Sequence, residues 1–329
     1  MNHSLERRAL YHLLRQHWLS GVTIDVEPWQ VEDYRNLKTA DLFKQLSSFA
    51  IHLEKKTFTG HADECDSPED LSEALIGDLT LSAKEEDQIY LIVFELWRRL
   101  MSEKPSPSIF CDELDFQIFL RDSEQNADPA PLQTALSNFL EVLQNNIDAG
   151  MDSKEAFTRL SCYCANDVES FLFDYISDQI DQDNDLYAHE LIDAFTPYVE
   201  DEKWLKLLRA QLLNRSNAKA AQHLFSELVE EYREEHDFEF NLTLLAFMAQ
   251  KENNPLFLQF AAYLKHMLER EEDFQDILLI CEEFATHSQN PQQAQTIHSI
   301  LEKRSQRDLE EDFDKSDPDL ALLFTALGL

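Results

Sequence analysis

Few runs in this chain combine residue type and spacing in a way that chemistry could use, and most lack an essential part. Asp181-Gln182-Asp183-Asn184-Asp185 puts carboxylates at positions 1, 3 and 5 of a helix-loop-helix calcium site. That loop needs glycine at position 6 for its turn and a bidentate glutamate at position 12. Those positions hold Leu186 and Ile192, with Glu190 at position 10, so the run reads as an acidic inter-helix loop with Asp183 as N-cap. Cys162-x-Cys164 has no second Cys or His pair at ligand spacing, and residues two apart on a helix point to different faces. His12 and His17 are read as flanking Tyr11 and Trp18 on a helix surface. There is no HExxH, no paired ExxH of a di-iron bundle and no GxSxG elbow. The expectation is that the chain works without a metal, a cofactor or catalytic residues.

What the side chains do offer is negative charge. The 329 residues carry 64 acids and 28 bases, a net charge of −36. Nucleic-acid phosphates and anionic membrane surfaces repel such a chain, so no direct nucleic-acid or membrane partner is expected; the favoured partner is a basic protein or peptide. The charge is concentrated: residues 105–202 hold 22 acids against Arg121, Lys154 and Arg159, and no Lys or Arg lies between Arg159 and Lys203. The residues expected to meet a partner are Asp174, Asp178, Asp181, Asp183, Asp185, Tyr187, Glu190, Asp193, Tyr198, Glu200, Asp201 and Glu202. A solvated acidic face is the plain reading of the same residues. A docking face for a basic helix or tail is the functional one.

The elements that must carry these residues are helical. Five glycines, where average usage of about 7% would give roughly 23, leave few positions for tight β-turns or phosphate-cradling loops. This predicts an all-α fold, an N-terminal helical bundle followed by stacked antiparallel helix pairs. In the first part, helices are expected over 4–20, 39–56 and 68–80, with a polar loop at 61–67. Ser82 with Glu85 forms a capping box for a helix whose Ile89, Val93, Leu96, Trp97 and Leu100 share one face. The first helix is net-basic, with Arg7, Arg8 and Arg15 against Glu6. Its plain reading is a capping helix; its sharper one is docking on an acidic surface. Val22-Thr23-Ile24-Asp25-Val26 alternates like a strand but has no visible partner, and it is read as an extended connection. Ser102 to Ser108, with Pro105 and Pro107, is the best linker candidate, followed by a bridging helix at 109–120. The expected domains are residues 1–104, a linker with bridging helix at 105–131, and a helical-repeat domain at 132–329.

From residue 152 onward helix-start residues recur. Asp152, Asp183, Asn217, Asn254 and Asn290 lie 31, 34, 37 and 36 residues apart, and Asn254-Pro255 and Asn290-Pro291 add proline at the first helical position. Apolar faces follow at helical spacing: Val168, Phe171, Leu172, Tyr175, Ile176 and Ile180; Ala221, Leu224, Phe225, Leu228 and Tyr232; Phe257, Phe260, Ala261, Leu264, Met267 and Leu268. Second helices are carried by Trp204, Leu205, Leu208 and Leu212, by Leu242, Leu245 and Met248, and by Phe274, Ile277, Leu278 and Cys281. Asp317-Pro318 starts a helix that closes the stack. In period and helix pairing, residues 152–305 resemble tetratricopeptide and HEAT-type α-solenoids. The tetratricopeptide pattern of Trp, Leu-Gly, Tyr, Ala and Pro is not met; Ala261 stands near the small-residue position without the glycine. The resemblance implies a concave surface that binds a protein or peptide.

Five scattered cysteines point to a reducing compartment, and the absence of a secretory signal or a long apolar run points to the cytoplasm, with export by a non-classical system left open. The leading functional expectation is a non-enzymatic adaptor, chaperone or regulator that holds a basic partner on an acidic helical-repeat surface. The alternatives are an inhibitor that mimics nucleic acid with its carboxylates, and a helical enzyme without a recognisable motif.

Overall fold

A computed structural model describes residues 5–77, 79–123, 128–232, 235, 237–250 and 255–329. Among them are seventeen α-helices, two short 3-10 turns and no sheet; an isolated antiparallel bridge joins Arg270 and Asp312. The all-α class expected from the scarcity of glycine therefore holds. Two compact units divide the chain: Met1–Tyr175 with Asp193–Glu200, and Ile176–Ile192 with Asp201–Leu329. The division does not fall near residue 105, where the Ser/Pro stretch suggests a linker. That stretch is a packed turn of the first unit. Trp97 Nε1 donates to the Lys104 carbonyl at 2.9 Å, the Lys104 ammonium donates to the Ala62 and Asp63 carbonyls, and the buried Ser106 and Ser108 hydroxyls pair at 2.9 Å.

The first unit is organised by α1 (Arg7–Leu19), α2 (Thr39–Ser48), α3 (Lys55–Asp63), α4 (Pro68–Ile76), α5 (Ala83–Leu100), α6 (Pro107–Asp122), α7 (Ala130–Asp148) and α8 (Ser153–Ser161). The capping box starts α5 as expected: Ser82 Oγ accepts the Glu85 amide and the Glu85 carboxylate accepts the Ser82 amide at 2.8 Å. The expected single apolar face is too narrow, because every residue from Ile89 to Trp97 is buried. Three helices, α2, α3 and α4, pack around α5, which leaves it no solvent side in that stretch. The helix expected over 39–56 is two helices. Ala50 takes a φ of +64° and ends α2, and α3 then runs to Asp63 through the expected polar loop because Phe58 and Ala62, four apart, are both buried.

The net-basic α1 is docked on carboxylates of its own chain. Arg7 and Tyr11 both reach Asp87 of α5, Arg15 reaches Asp33 at 2.8 Å, and Arg8 reaches Asp112 of α6 at 2.7 Å. Asp112 is wholly buried; its second oxygen accepts from Arg35 at 2.6 Å, and His12 Nδ1 lies 3.5 Å from the oxygen that Arg8 holds. His12 is therefore an interior residue, unlike the exposed His17; the reading of both as surface residues fails because α1 buries that side on α6. Burial alone would raise the Asp112 carboxyl, but the Arg8 and Arg35 guanidiniums overcome it and hold the group well below the usual carboxylate range. Asp115, three residues on, has no such cation and burial pushes it up; it accepts from the Ala165 amide at 2.7 Å and from the Asn166 amide and side chain.

The second unit contains α11 (Glu202–Ser216), α12 (Ala218–Tyr232), α13 (Phe238–Ala249), α14 (Pro255–Leu264), α15 (Glu271–His287), α16 (Pro291–Arg304) and α17 (Pro318–Leu327); α9 (Val168–Asp181) and α10 (Asp185–Phe195) each contribute residues to both units. Helices pack in adjacent pairs, α11 on α12, α13 on α14 and α15 on α16, and α13 also packs on α11, α12 and α15, so neighbouring pairs stack. Aromatic contacts fill the seams: Phe225 meets Phe247 at 4.2 Å and Phe257 stacks on Phe284 at 3.9 Å between ring centroids. Each such ring, fully buried, contributes about 1.5–3 kcal/mol.

Several caps stand where the sequence puts them. Asp152 accepts the Lys154 and Glu155 amides, Asn217 the Ala220 amide, Asn290 the Gln293 amide and Asp317 the Asp319 amide. Asn254 lies outside the described residues. Asp183 is not an N-cap: its φ is +61°, its amide donates to the Ile180 carbonyl at 3.1 Å, and the Asn184 amide donates to the Gln179 carbonyl at 2.8 Å. This is a left-handed C-terminal stop for α9, a position that aspartate tolerates better than most residues. At the far end Leu320 and Leu323 are buried whereas Leu322 faces solvent. Arg304, with no exposed surface, ties α15, α16 and the start of α17 together through Glu271, Asp317 at 2.7 Å and Asp319 at 3.0 Å. Among the described residues no helix is long and apolar enough to cross a membrane.

The Asp112 cluster has a measurable signature. Asp112→Ala leaves the partly buried Arg8 without its counter-ion and Arg35 with only Glu113, and is expected to cost about 3–5 kcal/mol in urea unfolding. With a folded pKa below the unfolded value of about 3.9, Asp112 contributes stability that is fully present above about pH 4 and is lost as the pH falls towards the lowered value. Asp115 is shifted the other way, so the difference between wild type and Asp112→Asn, measured at pH 5 and pH 3, isolates this contribution: it should shrink at the lower pH.

Candidate functional site

The acid-rich stretch is shared between the two units, and its residues differ in how free they are to meet a partner. In the first unit Asp174, Asp193 and Glu200 are exposed. Tyr198 is not available: it is buried, its hydroxyl donates to Gln144 Oε1 at 3.3 Å, and burial raises its phenol pKa. Glu200 has its carbonyl engaged by the Lys154 ammonium at 3.4 Å, which leaves the carboxylate outward.

In the second unit Asp181, Asp183, Asp185 and Glu190 are exposed, while Asp178, Tyr187, Asp201 and Glu202 are half-buried. Asp183, Asp185, Asp201 and Glu202 are engaged by the chain's own cations. Arg215 at the end of α11 pairs with Asp183 and, at 2.6 Å, with Asp185. Lys203 is buried among Asp201 at 2.9 Å, Asp237 at 2.8 Å and Glu235 at 3.3 Å. Burial would lower its pKa, but the surrounding carboxylates outweigh that and raise it. Lys206 reaches Glu202 at 3.6 Å, Glu231 at 3.0 Å and the Tyr232 hydroxyl at 2.9 Å. Asp183, Asp185, Asp201 and Glu202 thus have counter-ions within the chain. Their counter-ions stand just outside the base-free stretch in sequence and fold back onto it.

The structure adds a residue that the charge pattern passed over. Leu186, the second residue of α10, is 76% exposed, more than any other large hydrophobic side chain described. Its neighbours Ala188, Leu191, Ile192 and Phe195 follow helical spacing and are all buried, so Leu186 stands off the apolar face. That mismatch was readable in the sequence. Glu190 lies one turn further along the same side of α10, and Asp181, Asp183 and Asp185 precede Leu186 in the chain. The result is an apolar knob bordered by carboxylates.

A cleft of about 610 Å³ in the first unit is lined by Phe157, Cys162, Cys164 and Asn166, among others. Burial pushes the Cys162 thiol up, and contact with Cys111 together with burial holds Cys164 well above the usual thiol range, so both are poor nucleophiles. Cys281, enclosed in the second unit, is pushed up to about 12 by burial. Among the described residues no group of three His, Cys, Asp or Glu side chains is arranged to hold a metal ion.

Arg215 sets how firmly the loop before α10 is held, because it also donates to the Ile180 carbonyl at the end of α9. Arg215→Ala is expected to speed amide hydrogen exchange of residues 181–186 several-fold while leaving the unfolding midpoint nearly unchanged, since these pairs are solvent-exposed. Comparison with known protein families, curated proteins and solved structures found no significant match, so the functional reading rests on this chain's own residues.

Proposed function

We propose that this chain is a non-enzymatic adaptor, chaperone or regulator that holds a basic protein or peptide on the acidic surface around Leu186. The observation that carries the reading is the exposed leucine set among carboxylates at the start of α10. An isolated exposed acid gains little from a cation in water, and an isolated exposed leucine gains nothing from one. Together they suit an amphipathic partner whose apolar side chain covers Leu186 while its lysines or arginines meet Asp181 and Glu190. Stacked helix pairs of the tetratricopeptide or HEAT kind, which residues 152–305 resemble, commonly present such a surface. The free cysteines are in keeping with a reducing cytoplasm.

The test is a titration with a labelled cationic amphipathic peptide followed by fluorescence anisotropy. The double variant Asp181→Lys with Glu190→Lys, and separately Leu186→Ser, should each weaken binding about ten-fold with helicity unchanged by circular dichroism. The wild-type affinity should fall as salt rises. Binding that survives both variants at full strength would overturn the reading.

A further inference from the structure

The segment Val22–Glu27 follows α1 and carries no helix, turn or bend, which leaves extended backbone. It is anchored at both ends: the Val22 amide donates to the His17 carbonyl at 3.1 Å, and the Glu27 amide donates to Gln30 Oε1 at 2.7 Å. Between those anchors the amides and carbonyls of Thr23, Ile24, Asp25 and Val26 bond to no described residue. Four of the first five residues, Val22, Thr23, Ile24 and Val26, are β-branched and stiff in this conformation. From Thr23 onward exposure alternates as in a strand, with Ile24 and Val26 half-buried and Thr23, Asp25 and Glu27 exposed; Val22, on the side of Ile24, is exposed as well. Beside Val26 opens a cleft of about 710 Å³ lined by Trp18, Pro28, Trp29, Val31 and Glu32, and by Arg15 and Asp33, which pair with each other at 2.8 Å. Trp18 is 51% exposed.

We propose that this segment is a docking edge for β-strand addition, and that its occupant is an extended, cationic segment of another protein. An unpaired strand edge is a ready template for a second strand, and stiff residues already extended lose little freedom on pairing. Side chains of an added strand share faces with their neighbours, which fixes its pattern. Residues on the side of Val26 enter the tryptophan-lined cleft and are apolar; those beside Asp25 are basic, whereas Glu27 is already paired with Lys84. A second copy of this chain is the poorer occupant, because it would bring the same carboxylates and a net charge of −36 against them. This edge belongs to the first unit and does not depend on the surface around Leu186.

The probe is a fluorescein-labelled, end-capped peptide of alternating lysine and valine, titrated into the full chain at about 150 mM salt. A matched peptide methylated on its backbone nitrogens keeps every side chain and charge but cannot donate to the edge. It should bind about ten-fold more weakly or worse. Neighbouring amides of a strand point to opposite sides, so Asp25→Pro and Ile24→Pro test the two sides in turn. One of them should lose binding about ten-fold, while Asp25→Asn stays within about threefold of wild type. The native segment makes no bond through these amides, and thermal melting should confirm that the variants fold. Equal binding of the methylated peptide, full binding by both proline variants, or loss of binding in the Asp181→Lys with Glu190→Lys variant would each overturn the proposal. So would sedimentation showing a dimer that the proline variants dissolve, because the occupant would then be a second copy.

Discussion

A chain with 64 acids and only 28 bases can compact only if its few cations stand where buried carboxylates need them. That constraint is met by a small number of clusters at helix junctions. Asp112 is held by Arg8 and Arg35, Glu95 by Arg98 and Arg99, and Arg304 sits enclosed among Glu271, Asp317 and Asp319. Each cluster joins elements that local sequence alone would leave separate. Arg99, for instance, also donates to the carbonyls of Tyr34, Arg35 and Leu37 and so fixes the turn before α2 onto α5. Ion pairs of this kind add little net stability over an apolar contact, yet removing one partner strands the other in a medium that cannot solvate it. They act as specificity devices: a mispaired arrangement leaves a bare charge inside.

The same scarcity of cations shapes the surface. Lys203, Lys206 and Arg215 are drawn onto the acid-rich stretch, so several of its carboxylates are internally matched and the excess is carried by fewer residues. What stays outward in the second unit, Asp181 and Glu190 with the exposed Leu186 between them in sequence, combines charge with an apolar contact. Charge alone gives long-range attraction and little selectivity in salt, whereas a small apolar contact adds short-range fit. In the first unit the acids around α1 are consumed differently. Arg7, Arg8 and Arg15 turn a basic helix into an internal clasp on Asp87, Asp112 and Asp33.

Much of the helical framework was legible in the sequence because the interactions that set it are local. A cap is decided by a side chain and an amide two or three residues away, which is why Asp152, Asn217, Asn290 and Asp317, and the Ser82 capping box, could be placed correctly. Asp183 shows the limit of this reasoning, since the same side chain suits a left-handed helix stop, and the choice depends on where α9 ends. The Ser/Pro stretch near residue 105 shows another: its composition says turn, but only Trp97 and the end of α3 decide that the turn is packed.

The sequence by itself determined the all-α class, the sign of the charge and its concentration before residue 203, because these follow from residue types and from local patterns; which helices pair, α11 with α12 and α13 with α14, was decided by packing. Only the tertiary structure decided which carboxylates are matched, that Tyr198 and His12 are interior, and that Leu186 stands outside its helix's apolar face. The physical reason is range. Arg8 and Asp112 lie 104 residues apart, and Arg215 and Asp183 lie 32 apart, so their pairing is a property of packed surfaces that no local pattern records.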